Sequence, residues 1–163
     1  MNEFPRGLKI TTVWLLIGVV MFLGFQALES RQHRSQFSAS GGVIEIRRAG
    51  DGHYHWPGSV NGVDVDFVID TGATTTALPR AVAKRAGLQA EGAIVSSTAG
   101  GEAHGHVARA DVALEGGVQV HRLRVTVLPS LESPLLGMDV LSRLRWSQHG
   151  GVLRIEPAAS TNN

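Results

Sequence analysis

Asp70 stands at the end of an apolar run and is followed at once by Thr71, Gly72, Ala73 and Thr74. A carboxylate held at such a strand end can give and take a proton in a reaction. Small residues let the backbone come close to it, and Gly72 can adopt dihedrals closed to other residues. Taken alone, Asp-Thr-Gly reads equally well as a plain turn in which Asp70 caps its own backbone. Its surroundings decide between the two.

Other reactive residue types are less well placed. The chain has 163 residues and no cysteine, which excludes disulfides, thiolate chemistry and cysteine-bound zinc. His53 and His55, and again His104 and His106, form His-x-His pairs that share a strand face, but no third zinc ligand follows by spacing. They read as surface or cleft-rim histidines, and no metal is expected. Asp64 and Asp66 read as the solvent face of a strand. A net charge of +1 leaves no dense basic face, so no nucleic acid partner is expected.

The elements that position Asp70 follow from local pattern. Val43–Arg47 is a short β-type run. His53 to Trp56 alternates, and Pro57-Gly58 is expected to break it. Asn61-Gly62 is a strong hairpin signal. Val63, Val65, Phe67 and Ile69 then alternate with Asp64 and Asp66, so one arm of that hairpin delivers Asp70. Pro79 opens a short helix that Gly87 closes. Ile94–Thr98 and Glu102–Val107 form a second hairpin, tipped by Ala99-Gly100-Gly101, a composition suited to a lid. Further strands are expected at 107–114, 118–121, 123–128 and 152–155. Met138 to Leu144 has helical spacing, with Asp139 near its first turn. Twenty glycines fit many tight turns. The reading is mostly β, about eight short strands with one or two short helices.

The N-terminal stretch is of another kind. Residues 10–28 are 19 nearly all apolar residues, about 28 Å long as a helix. Arg6 and Lys9 precede them, Arg31 and Arg34 follow, and no good Ala-x-Ala cleavage site is present. The expected organisation is a short cytoplasmic N-terminus (1–9), a transmembrane signal anchor (10–28), a flexible Ser-rich linker (29–40), one domain (41–157) and a disordered tail (158–163). The domain is expected outside the cytoplasm.

Asp70-Thr71-Gly72-Ala73-Thr74, Leu135-Leu136-Gly137 about 65 residues later, the short helix from Met138 and the Gly-tipped hairpin between them form a familiar set. Together they resemble the retropepsin-like aspartic proteases of clan AA, above all the bacterial, membrane-anchored branch with one lobe per chain. The resemblance covers nearly all of 41–157. It implies a closed β-barrel lobe, catalysis by Asp70, and a loop supported by Thr71, Gly72, Ala73 and Thr74. It implies a flap at Thr98, Ala99, Gly100 and Gly101, and structural support from Leu135, Leu136 and Gly137 crossing behind the loop. It implies no cofactor, and a bacterial inner membrane with the lobe on the periplasmic side. Viral members carry an arginine after that glycine. Met138 stands here instead, followed by Asp139, which departs from the viral style of dimer contact.

Peptide hydrolysis by carboxylates needs two of them, one to deprotonate water and one to polarise the carbonyl. The chain has a single Asp-Thr-Gly. The partner carboxylate is therefore expected from a second copy, with Asp70 facing Asp70 across a two-fold axis. Thr71 is expected to hold the paired loops, Gly72 to offer its N–H to the carboxylate, and Thr74 to add a hydroxyl. Substrate is expected as an extended peptide between apolar residues such as Ile94, Val95, Leu131, Leu135 and Leu136. If His104 and His106 lie on the flap, their protonation near about pH 6 would bias its closure. The rival reading is a catalytically silent, membrane-anchored β domain that binds peptides or scaffolds a partner.

Overall fold

The structure is a computed structural model that describes residues 14–22, 37–40, 42–98 and 101–156. The chain divides into two units, Met1–Arg34 and Ser35–Asn163. In the first, residues 14–22 are helical (α1), with Leu15, Val20, Met21 and Phe22 exposed. The rest of the expected span 10–28 lies outside the described residues, as do 1–9, 29–36 and the tail 158–163. Among the described residues no helix is long and apolar enough to cross a membrane.

The second unit runs β1 (Phe37–Ser40), β2 (Val43–Arg47), β3 (His55–Val60), β4 (Val63–Ile69), β5 (Ala77–Pro79), α2 (Arg80–Arg85), β6 (Gly92–Thr98), β7 (Gly101–Leu114), β8 (Val118–Leu128), β9 (Leu135–Leu136), α3 (Met138–Leu141), β10 (Arg145–His149) and β11 (Val152–Glu156). One sheet has the order β3-β4-β9-β5-β8-β7-β6, and β3 also pairs with β7. Six of its strands therefore close on themselves as a barrel, and β6 hangs outside on β7. A second, antiparallel sheet has the order β1-β2-β11-β10. Trp56, Phe67, Leu78, Val125, Val127 and Leu136 are fully buried in the core. The one polar atom of Trp56 is satisfied, since Nε1–H donates to the Glu115 carbonyl at 2.8 Å.

The Asn61-Gly62 turn joins β3 to β4 as expected, with φ of +48° and +79° and Val60 opposite Val63. Three local readings are corrected. First, Pro57-Gly58 does not break the strand; β3 runs through it. Gly58 is where β3 crosses β7 closely enough that a Cβ would stand 2.4 Å from the Ala113 carbonyl oxygen. The glycine closes the barrel rather than ending a strand. Second, β1 lies inside the stretch 29–40 read as linker. Its residues pair with β2, Phe37 opposite Ile46, and β2 is held in turn by β11. The order comes from the neighbours, not from the composition of Phe37–Ser40. Third, 118–128 is one strand, kept continuous across Arg122 (φ +48°) by a register shift between Ala110 and Val112 in β7.

Candidate active site

β4 ends in Asp70, and the short parallel strand β9 fixes where it ends. Val68 lies opposite Leu135 and Ile69 opposite Leu136. The Val68 N–H donates to the Pro134 carbonyl at 2.8 Å and the Asp70 N–H to the Leu136 carbonyl at 3.0 Å. The carboxylate is half-buried, and its Oδ1 accepts the Gly72 N–H at 2.9 Å. A carboxylate held by a backbone donor is oriented before any substrate arrives.

The far limb of the loop is tied to the segment after β9. The Met138 N–H donates to the Ala73 carbonyl at 2.8 Å, and the Asp139 N–H to the Thr74 carbonyl at 3.1 Å. The loop carbonyls thus satisfy N–H groups at the start of α3 that have no partner within the helix. Gly137 makes this approach possible. A Cβ there would stand 2.6 Å from the Thr75 carbonyl carbon and 2.9 Å from the Ala73 oxygen.

Of the two residues that carry this junction, sequence pattern does not single out Thr76 and does not reveal the role of Asp139. Thr76 is fully buried; its N–H and Oγ1 donate to the two oxygens of Asp139, at 2.9 and 2.8 Å. The same Oγ1 accepts the Gly137 N–H at 3.3 Å. Read locally, Asp139 is only an acid in a first helical turn; its partner is 63 residues away. Asp139→Ala leaves the Thr76 donors buried without an acceptor, and is expected to cost about 2 kcal/mol in urea unfolding. Asp139→Asn keeps one acceptor and is expected to lose less.

The structure places the other expected residues unevenly. Thr71, Gly72 and Thr74 are exposed on the loop, and Ala73 is half-buried. Leu136 is fully buried in the core, so it supports the loop and cannot line a substrate pocket. Ile94, Leu131 and Leu135 are half-buried, and Val95 is exposed. β6 and β7 pair from Gly92–Val107 to Thr98–Gly101, so the expected hairpin is present. Its tip residues Ala99 and Gly100 lie outside the described residues. His104 and His106 are on the β7 arm of that hairpin. On another side of the loop, a cavity of about 110 Å³ is lined by Tyr54, Ile69, Thr71, Leu141 and Trp146 among others. Trp146 lies on β10, one of the two edge strands of the four-stranded sheet.

His55 is not a rim histidine. It is 8 % exposed, with Nε2 2.8 Å from Asp51 Oδ2 and Nδ1 3.1 Å from Asp66 Oδ2. The alternation that places it on a strand face does not reveal that both ring nitrogens meet carboxylates. At Asp51, burial works against the charged form. It is outweighed by the His53 N–H, the His55 hydrogen bond and the two imidazoles, which hold the carboxyl below the ordinary 3.8. A depressed carboxyl stabilises the fold above the unfolded-state pKa and loses that contribution as pH falls through the folded value. The melting-temperature gap between wild type and Asp51→Asn is therefore expected to close as pH falls below about 5.

Comparison with known proteins follows the same lines. Residues 56–143 match the family described as "gag-polyprotein putative aspartyl protease". An uncharacterized protein of Rickettsia prowazekii (strain Madrid E) is 29% identical over 159 residues, 88% of this chain and 68% of that protein. The crystal structure of a retropepsin-like aspartic protease from Rickettsia conorii superposes with a TM-score of 0.57 and 25% identity, over 76% of this chain and 97% of that one.

Proposed function

The chain belongs to the retropepsin-like family of gag-polyprotein aspartyl proteases, and on that premise we propose that it is an aspartic endopeptidase whose site is assembled from two copies of itself. The observation that carries this reading is the Asp70 loop. Its carboxylate is fixed by the Gly72 N–H, braced from behind by β9 and Gly137, and flanked by the exposed Thr71. The sequence holds only one such loop.

Two Asp70 carboxylates about 3 Å apart share one proton, because both cannot be charged at that distance. The ionised one takes a proton from water as its oxygen adds to the scissile carbonyl. The protonated one gives its proton to the carbonyl oxygen. In the breakdown of the tetrahedral diol, one carboxyl gives its proton to the departing amine while the other, ionised, takes a proton from a diol hydroxyl, and the dyad ends with one proton as it began. Thr71 of each copy bonds across the axis and keeps the two loops in register. The β6–β7 hairpin closes over an extended peptide and keeps bulk water out. The position of β10 supports a second copy here: a protomer brought up to Asp70 also meets this sheet edge and the half-exposed Trp146.

Residues 10–28 would anchor the protease in a bacterial inner membrane with the lobe in the periplasm. The length and apolarity of that stretch, and the exposed apolar side chains of α1, support this. Confinement to one membrane raises the effective concentration of protomers, so a weak dimer suffices there. A reporter active only in the cytoplasm, fused at the C-terminus, is expected to be silent; activity contradicts the topology. The peptidase itself is tested by incubating the full-length chain with a mixed peptide library from about pH 4 to 8. Cleavage by the wild type and none by Asp70→Ala is expected. Equal cleavage by both ends the proposal.

A further inference from the structure

Beside the base of the Asp loop, a cavity of about 210 Å³ opens between β8 and α3. Its lining includes Thr75, Asp139, His121, Arg122, Arg124 and Arg143. Leu123 and Val125 point into the core, so Arg122 and Arg124 stand on the outward face of β8.

The charges in this lining do not balance. Three exposed arginines and one carboxylate line it, and both oxygens of Asp139 are already committed to Thr76. Among the described residues none of the three arginines is in an ion pair, whereas Arg109 pairs with Glu91 and Arg154 with Glu45 and Glu156. The nearby Asp111 accepts the Arg122 backbone N–H at 2.7 Å and lies 3.7 Å from His121 Nδ1, so it answers the imidazole and not a guanidinium. Arg122 also holds a φ of +48°, a conformation that glycine adopts without strain and an arginine does not.

We infer that this cavity binds a small polyanion, a compact group carrying two or more negative charges on phosphate or carboxylate oxygens. Guanidinium forks match such oxygens two at a time, and a polyanion offsets the mutual repulsion of the three cations. A single charge cannot serve all of them. The occupant links the outer face of β8 to α3, whose Asp139 holds Thr76 at the base of the Asp loop. The site stands on its own chemistry and does not depend on peptide hydrolysis.

The test is calorimetric titration of the full-length chain with pyrophosphate and, separately, with citrate, at fixed ionic strength. One saturable site is expected, weakened at least tenfold by Arg124→Ala and by Arg143→Ala, with both variants melting as the wild type does without ligand. Arg154→Ala, whose arginine lies on β11 in the other sheet, is expected to bind normally. Tighter binding of pyrophosphate identifies phosphate as the preferred group, and tighter binding of citrate a polycarboxylate. No saturable binding of either, or the same weakening in Arg154→Ala, overturns the inference.

Discussion

Asp70→Asn is expected to lower peptide hydrolysis by at least about 10³-fold while changing stability by less than about 1 kcal/mol. The asparagine retains a side-chain oxygen where Asp70 Oδ1 accepts the Gly72 N–H, so the loop keeps its internal bond. The backbone bonds from Asp70 to Leu136 and from Ala73 to Asp70 do not involve the side chain. What the amide cannot do is share a proton with a second carboxylate or take one from water. Because both halves of the dyad would be Asp70, one substitution removes both. Steady-state kinetics on a cleaved peptide, with unfolding midpoints measured alongside, separates the two effects. A large drop in midpoint would mean that Asp70 serves the fold and not only the reaction.

Gly137→Ala is expected to have the largest effect on stability among the loop substitutions, about 3 kcal/mol. The added methyl meets the Thr75 carbonyl carbon at 2.6 Å, its oxygen at 2.8 Å and the Ala73 oxygen at 2.9 Å. All three are backbone atoms, so no flexible side chain can move aside. Relief requires the loop to part from α3, which breaks the bonds from Met138 and Asp139 to the Ala73 and Thr74 carbonyls. Activity is expected to fall with stability, because those bonds hold the far limb of the loop that begins at Asp70. Gly72→Ala is the contrast. Its methyl meets only Asp70 Oδ1, at 3.2 Å, so it is expected to disturb the carboxylate more than the fold. Denaturant unfolding of the two variants checks this, and equal midpoints would contradict it.

Local pattern was sufficient wherever the structure is local. The Asn61-Gly62 turn needs two positive φ angles, and those residue types supply them. The arm from Val63 to Ile69 and the β6–β7 hairpin follow from alternation and turn residues. The role of Leu135-Leu136-Gly137 was legible only through the family resemblance, since nothing in that tripeptide says which strand it lies beside. What stayed hidden depends on pairing across the fold. Phe37–Ser40 becomes a strand because β2 and β11 are there to receive it. Gly58 marks a strand crossing at Ala113 and Leu114, which looks like a break in one dimension. Thr76 and Asp139 meet because β9 and β5 are neighbours, and His55 is buried because Asp51 and Asp66 close on it from a turn and a strand.

The central claim is that each chain supplies one half of the dyad, and mixing tests it directly. Wild type and Asp70→Asn are combined in varying ratio at constant total concentration, high enough to hold all chains as dimers, and peptide cleavage is measured. If the site needs Asp70 from both copies, activity follows the square of the wild-type fraction, falling to about a quarter at equal mixing. Activity that falls only in proportion to the wild-type fraction would mean that one chain carries a complete site, and would contradict the account.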